Sequence, residues 1–122
     1  MRSIILSIHP SFVDKILSGE KRFEFRKVLA KKKPQRLVIY STSPISSVVA
    51  EADIEDILVD TPDNLWDKTS NYAGVDKIFF NEYFKNRQQG IAYQLTNITQ
   101  YENPKSLKDY GLQNAPQSFV YI

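Results

Sequence analysis

The sequence predicts an α+β fold built on a small curved or barrel-like sheet of five or six strands with three or four flanking helices. Three observations carry this expectation. Apolar residues recur with the strand period of two in some stretches and with the helical period of 3.6 in others. These stretches follow no strict strand–helix alternation, so a doubly wound parallel sheet is not expected. With 122 residues the chain has room for one core, and a single domain over 1–122 is expected.

The elements follow in order. "RSIILSI" (2–8) is a short apolar run and reads as a buried strand. From Pro10 to Leu17, the residues Phe12, Val13, Ile16 and Leu17 fall on one helical face, with Pro10 suited to the first turn and Gly19 to the stop. Residues 21–27 alternate as a strand, and "RLVIYST" (36–42) is continuous and β-branched, as a strand covered on both sides would be. Over 48–55, Val48, Ala50, Ala52 and Ile54 point one way and Glu51, Asp53 and Glu55 the other. Thr61–Pro62 is an N-cap and first-turn pair, opening a helix with Leu65, Trp66 and Thr69 on one face. A turn at "AGVD" leads to a second such helix carrying Phe79, Phe80, Tyr83 and Phe84. Gly90 begins a long strand whose inward parity shifts between Leu95 and Ile98, the sign of a bulge. "PKSLKDYG" allows one helical turn, and "SFVYI" closes as a strand.

Composition excludes several classes of function. Hydrophobic residues make up 42% and charged residues 25%, as in globular proteins. No apolar run approaches the roughly 20 residues of a membrane helix, and "IILSI" is too short for a signal peptide. No membrane partner is expected, and a cytoplasmic location is. Cysteine is absent and His9 is the single histidine, so neither a disulfide framework nor a metal site is expected. No cofactor motif occurs. The oligomeric state leaves no trace in the sequence.

Charge is unevenly spread. The window 21–36 holds Lys21, Arg22, Arg26, Lys27, Lys31, Lys32, Lys33 and Arg36 against one acid, Glu24. That is +7 within a chain of net +2, leaving −5 elsewhere. Residues 51–67 hold seven acids and no base. Such a layout suits a polyanion docking on one side, with Arg22, Lys27, Lys31, Lys32, Lys33 and Arg36 as a phosphate flank; a solvated loop is the plainer reading of Lys31 to Lys33. Within "SGEKRFEFRK" (18–27), Phe23 and Phe25 share one strand face, expected to point into the barrel. Arg22, Glu24 and Arg26 share the other, about 7 Å apart. Glu24 is thus expected between two guanidiniums, which hold it ionised and oriented. The charged outer face of an edge strand would show the same pattern.

"ILSGEKRFEFR", a helix ending in glycine followed by Lys21, Glu24 and Arg26 on the next strand, resembles the signature of ASCH domains. "YSTSP", "VVAEADIEDIL", "LWDKTSNYAGV", "EYFKNRQQGIAYQL" and "APQSFVYI" extend the resemblance over nearly the whole chain. It implies a small PUA-like β-barrel with a cleft beside the first helix, lined by Lys21, Glu24 and Arg26, with Gly19 permitting the turn. It also implies a partner: RNA, a nucleotide or a modified nucleoside. Some ASCH relatives add a helix-turn-helix; this chain shows none, and a repressor role is not expected.

One branch of the family removes the acetyl group from N4-acetylcytidine with a lysine–threonine–glutamate arrangement. This chain keeps the lysine as Lys21, has Glu24 where that branch has threonine, and holds no carboxylate at Tyr72–Gly74. The departure weighs against that activity. The reading is an RNA- or nucleotide-binding module acting in RNA metabolism or regulation. The alternative is a small enzyme, an amidohydrolase or a ribonuclease, with Lys21 and Glu24 as its catalytic pair. A protein-interaction module using the acidic strand 51–56 is a third possibility. Ser41, Thr42 and Ser43 offer hydroxyls for a phosphate or base edge, or merely for a turn. Trp66 and Tyr72 offer rings for stacking, although Trp66 also fits a core position. Gln117 and Ser118 offer polar groups for a base edge, or for capping their own loop. As a base or nucleophile Lys21 needs a depressed pKa; Glu24 is expected to win and keep it charged.

Overall fold

The computed structural model describes residues 1–122. Its strands are β1 (Ser3–Ile8), β2 (Phe23–Arg26), β3 (Arg36–Ser41), β4 (Ser47–Asp60), β5 (Gly90–Lys105) and β6 (Phe119–Tyr121). Its helices are α1 (Pro10–Ser18), α2 (Pro62–Thr69) and α3 (Lys77–Tyr83). Short 3-10 turns lie at Ser70–Tyr72 and Leu107–Tyr110. The α+β expectation holds: one six-stranded sheet in the order β2-β5-β4-β3-β1-β6 curls into a half-barrel. β1 and β3 run parallel, and every other pairing is antiparallel. No helix is long and apolar enough to cross a membrane.

Local chemistry sets the helix ends. His9 caps α1, its Nδ1 accepting from the Ser11 N–H, and Pro10 fills the first turn, where no N–H partner is needed. Gly19 ends α1 at φ +87°, a left-handed conformation that a Cβ disfavours. Thr61 and Asp76 cap α2 and α3 through the N–H groups of Asn64 and Phe79.

The long strands bend at bulges. Asn97, at φ +51°, supplies the bulge expected between Leu95 and Ile98: β4 advances from Glu51 to Asp53 while β5 spans Thr99 to Thr96. A second irregularity sits at Val49, where Ile39 pairs with Ala50 but Tyr40 with Val48. It breaks the parity expected over 48–55. Ala50 and Ala52 face the main core, and Val48 faces a smaller cluster on the other side with Ile5, Val38 and Tyr40.

The main core fills the concave side of the half-barrel. Ile4, Leu6 and Ile8 of β1, Leu37 and Ile39 of β3, and Ile91, Tyr93 and Leu95 of β5 lie under Val13 and Ile16 of α1. A separate cluster lies outside the sheet, where Leu65 of α2 and Phe80 of α3 cover β2 and β5. This corrects the expectation for Phe23 and Phe25, which belong to this outer cluster. Glu24 pairs with Tyr93 and Arg26 with Ile91, so the charged face of β2 is the one turned to the concave side.

Candidate functional site

The sheet does not close by hydrogen bonding between its edges. β2 faces the Ser7–Ile8 end of β1, beyond the part paired with β6, across a seam that Arg26 crosses, Nη2 donating to the Ser7 carbonyl at 2.8 Å. The same guanidinium donates from Nε (3.2 Å) and Nη2 (2.8 Å) to Oε2 of Glu24. The other carboxylate oxygen of Glu24 lies 3.7 Å from Lys21 Nζ. Glu24 is therefore flanked by one guanidinium and one ammonium, not by two guanidiniums. Arg22 precedes the strand, is exposed, and stacks on Tyr72 at 4.0 Å.

Lys21 is 2% exposed. Its Nζ donates to the Ala73 carbonyl at 2.7 Å and lies 4.8 Å from the centre of the Phe25 ring. Gly74 permits this burial, since a Cβ there would stand 2.4 Å from Lys21 Cβ. Lys15 of α1 donates to the Gly74 carbonyl at 3.1 Å. Burial pushes the Lys21 pKa below its ordinary 10.5, Glu24 opposes this, and Lys15 and Arg26 reinforce it. The expectation that Glu24 would outweigh the rest is corrected: desolvation is the larger effect.

These groups line a pocket of about 200 Å³ in the seam. Its walls are aromatic: Phe12 and His9 at the start of α1, Phe25 below, and Phe79 and Tyr83 from α3. Phe12 meets Phe79 edge to face at 5.4 Å, and the Phe79 and Tyr83 rings are parallel within 7°. Burial raises the Tyr83 pKa above its ordinary value. Such a pocket offers apolar faces to a flat ring, with ammonium and guanidinium donors and one carboxylate acceptor at its charged end. Nowhere do three or more His, Cys, Asp or Glu side chains gather as they would around a metal ion.

Of the residues singled out in the sequence, Lys21, Glu24 and Arg26 come together at the pocket, and Gly19 provides the turn before them. The others do not line it. Ser41 is buried, and Thr42 and Ser43 begin the turn after β3, whose Thr42 N–H bonds the Ile8 carbonyl. Trp66 packs on Phe80 in the outer cluster, and Tyr72 carries Arg22. Gln117 and Ser118 are exposed beside Pro116, whose carbonyl accepts from Ser7 Oγ. Arg36 is engaged by Glu51 at 3.0 Å and Asp53 at 3.7 Å, which removes it from a free phosphate flank. Lys31, Lys32 and Lys33 are exposed on a loop tied to β6, where Lys32 N–H donates to the Tyr121 hydroxyl. Lys27 alone of the flank touches the pocket wall, 4.6 Å from the centre of the Tyr83 ring.

Sequence reasoning missed His9, Phe12, Phe79 and Tyr83 as pocket residues. Helical periodicity identifies the apolar face to which three of them belong. The seam that receives its upper end is a product of how the sheet curls.

Comparison with known proteins follows this geometry. The family model described as "Domain of unknown function (DUF365)" matches residues 1–111. Large ribosomal subunit protein uL22 of Ureaplasma parvum serovar 3 is 27% identical over 121 residues, covering 98% of this chain and 39% of that protein. ATP synthase subunit alpha of the same organism is 25% identical over 122 residues, and the chain spans 15% of its length. An ASCH domain-containing ribonuclease of Zymomonas mobilis is 28% identical over 95 residues, 77% of this chain and 64% of that protein. The crystal structure of ASCH from Zymomonas mobilis superimposes with a TM-score of 0.89 at 26% identity, covering 98% of this chain and 87% of that one. A point mutant of the same protein gives 0.89 at 25% identity. The chain is thus an ASCH domain protein of PUA-like fold, and it belongs to the family described as a domain of unknown function, DUF365.

Proposed function

We propose that this protein binds RNA, taking one base or nucleoside into the seam pocket. The observation that carries the reading is the buried Lys21–Glu24–Arg26 cluster at the end of an aromatic-walled pocket. A nucleobase needs flat apolar contact on its faces and donors and acceptors at its edge. Lys21 donates to a ring carbonyl or nitrogen, and Glu24 accepts from an exocyclic amine or ring N–H. Arg26 holds Glu24 in position, so that little ordering remains to be done on binding. The kinship with a protein named as a ribonuclease supports RNA as the polymer.

Cleavage of the bound RNA is a second reading, favoured by the lowered Lys21 pKa. A lysine with a lowered pKa is more often unprotonated near neutral pH, and so available to take the proton of a ribose 2′-hydroxyl attacking the adjacent phosphorus. The leaving 5′-oxygen takes up a proton from water, the Lys21 ammonium returns its own to the hydroxide left behind, and the upstream fragment ends in a 2′,3′-cyclic phosphate. N4-acetylcytidine hydrolysis has less support. Backbone carbonyls, not a carboxylate, meet the two lysines at Ala73 and Gly74.

One experiment tests both readings. Single-stranded RNA is titrated against wild type and Lys21→Met, which keeps the side-chain length, with folding checked by circular dichroism. Affinity falling about tenfold or more in a folded variant is expected from the loss of one buried charged contact. Equal affinities would overturn the pocket as the binding site. Incubation with RNA and with N4-acetylcytidine then separates binder from enzyme: turnover that vanishes in Lys21→Met makes the protein an enzyme on that substrate.

A further inference from the structure

A second cavity, linked to the first by the contact of Lys27 with Tyr83, is of opposite character. Lys27, Thr61, Arg87, Gln88 and Gln89 line it, and no apolar residue does. The sheet register explains why these five meet. Arg26 pairs with Ile91 and Asp60 with Gly90, so Lys27, Thr61 and Gln89 emerge at the same end of three adjacent strands. The loop from α3 into β5 completes the cavity, turning at Asn86 with φ +63° and fixed by Arg87 N–H donating to the Phe84 carbonyl.

The charge at this cavity is unopposed. Neither Lys27 nor Arg87 takes part in an ion pair, whereas Arg26, Arg36 and Lys68 all do. The neighbouring acid, Asp60, is turned to Lys68 at 2.9 Å and to Asn64 at 3.1 Å. Tyr83 connects the two sites: it lines the seam pocket and carries the Lys27 ammonium over its ring.

We propose that Lys27 and Arg87, with the hydroxyl of Thr61 and the amides of Gln88 and Gln89, form a phosphate-binding ledge. It receives the phosphate of the nucleotide whose base occupies the seam pocket. The proposal rests on the base-pocket reading and deepens it. The ligand is a phosphorylated nucleotide or an RNA strand, and the polyanion runs past Tyr83, not along Lys31 to Lys33. Two cations and three uncharged hydrogen-bonding side chains match a phosphate, which presents charge and several acceptor oxygens together.

The test compares each of the four common nucleosides with its 5′- and 3′-monophosphates by calorimetric titration. It uses wild type, Lys27→Ala/Arg87→Ala, and Lys31→Ala/Lys32→Ala/Lys33→Ala. In wild type one monophosphate binds about tenfold tighter than its nucleoside, as expected of a charge-assisted phosphate contact. That gain, taken as the ratio of monophosphate to nucleoside affinity within each protein, is lost in the double variant and kept in the triple variant. For short single-stranded RNA, the slope of log K against log salt flattens by roughly 0.7 in the double variant, as for one phosphate no longer neutralised. A gain that survives the double substitution, or disappears in the triple variant, overturns the ledge.

If no nucleoside binds, the base-pocket reading fails, and pyrophosphate alone then decides on the ledge. Saturable shifts of the Lys27, Arg87, Gln88 and Gln89 backbone amides by NMR, absent in the double variant, uphold an anion site there. Their absence in wild type overturns it.

Discussion

Glu24 and Glu51 each hold an arginine, at 2.8 Å from Arg26 and 3.0 Å from Arg36. Their surroundings differ. Glu24 is 8% exposed by its side chain and shares its charge with Lys21, itself almost wholly buried; Glu51 is 27% exposed, and Arg36 divides itself between Glu51 and Asp53. Water screens the second group, and either partner left alone is rehydrated. The first group has given up water for its neighbours, and its members depend on one another. A buried charged cluster is seldom the most stable way to fill a seam, since apolar side chains of similar volume often do better. The Glu51 group is explained by surface pairing across strands, whereas the Glu24 group sits at a pocket, and in the proposed function its fixed charge serves recognition.

Removing each carboxylate separates the two groups most strongly. Glu24→Gln leaves buried Lys21 and half-buried Arg26 without a counter-charge and is expected to lower unfolding free energy by about 3 kcal/mol. Glu51→Gln is expected to cost about 1 kcal/mol or less. Urea unfolding of the two variants measures both; equal losses would show that burial does not separate the groups.

Two glycines give the next contrast. Gly19 and Gly74 both have positive φ, +87° and +70°, but only Gly74 faces Lys21. Gly19→Ala is expected to cost the left-handed penalty, about 1–2 kcal/mol. Gly74→Ala adds a clash with the lysine stem and is expected to lose about 2 kcal/mol more. Thermal melts would show the gap. Nucleotide affinity should follow it, because a displaced Lys21 no longer meets the pocket.

The smallest effect is in pH dependence, where a buried cation and an exposed carboxylate act with opposite signs. The folded Lys21 pKa lies below its ordinary 10.5. Below that folded value the buried ammonium carries its full cost. The cost is relieved as pH rises from there to 10.5, so wild type should gain stability relative to Lys21→Met on the alkaline side. Asp60 is held at about 2 against an ordinary 3.8, chiefly by its hydrogen bond with Lys68. Its contribution is present above 3.8 and lost as pH falls towards 2, so Asp60→Asn should flatten the acid limb there. Paired pH–stability profiles check both slopes.

Much of the molecule was legible in the sequence, for identifiable reasons. Pro10, Gly19, Thr61 and the Asn97 bulge act within a few residues of themselves, so local rules find them. Lys21, Glu24 and Arg26 were legible as a group because they are close in sequence and the family resemblance marks them. Which side of β2 would be inside was not legible. Strand parity separates Phe23 and Phe25 from Glu24 and Arg26 but does not say which set faces the barrel. The answer came from α2 and α3, which cover the outer face and claim the phenylalanines. The partners of Arg36 belong to β4, and the acceptor of Lys21 is a backbone carbonyl 52 residues away. Charge counted along the chain does not reveal that Glu51 and Asp53 engage Arg36, because it ignores who neutralises whom.

The first and last strands have a consequence of another kind. β1 and β6 lie side by side and antiparallel, Ile4 against Tyr121, and the Ile122 N–H bonds the Ser3 carbonyl. Residues 1 and 122 thus emerge at one spot on one edge. A longer polypeptide entering and leaving there gains or loses the whole unit without stretching what lies on either side, as in grafting onto a single stem. In two Ureaplasma proteins the matched region makes up 39% and 15% of the length. Adjacent ends let the chain enter and leave the sheet at one edge.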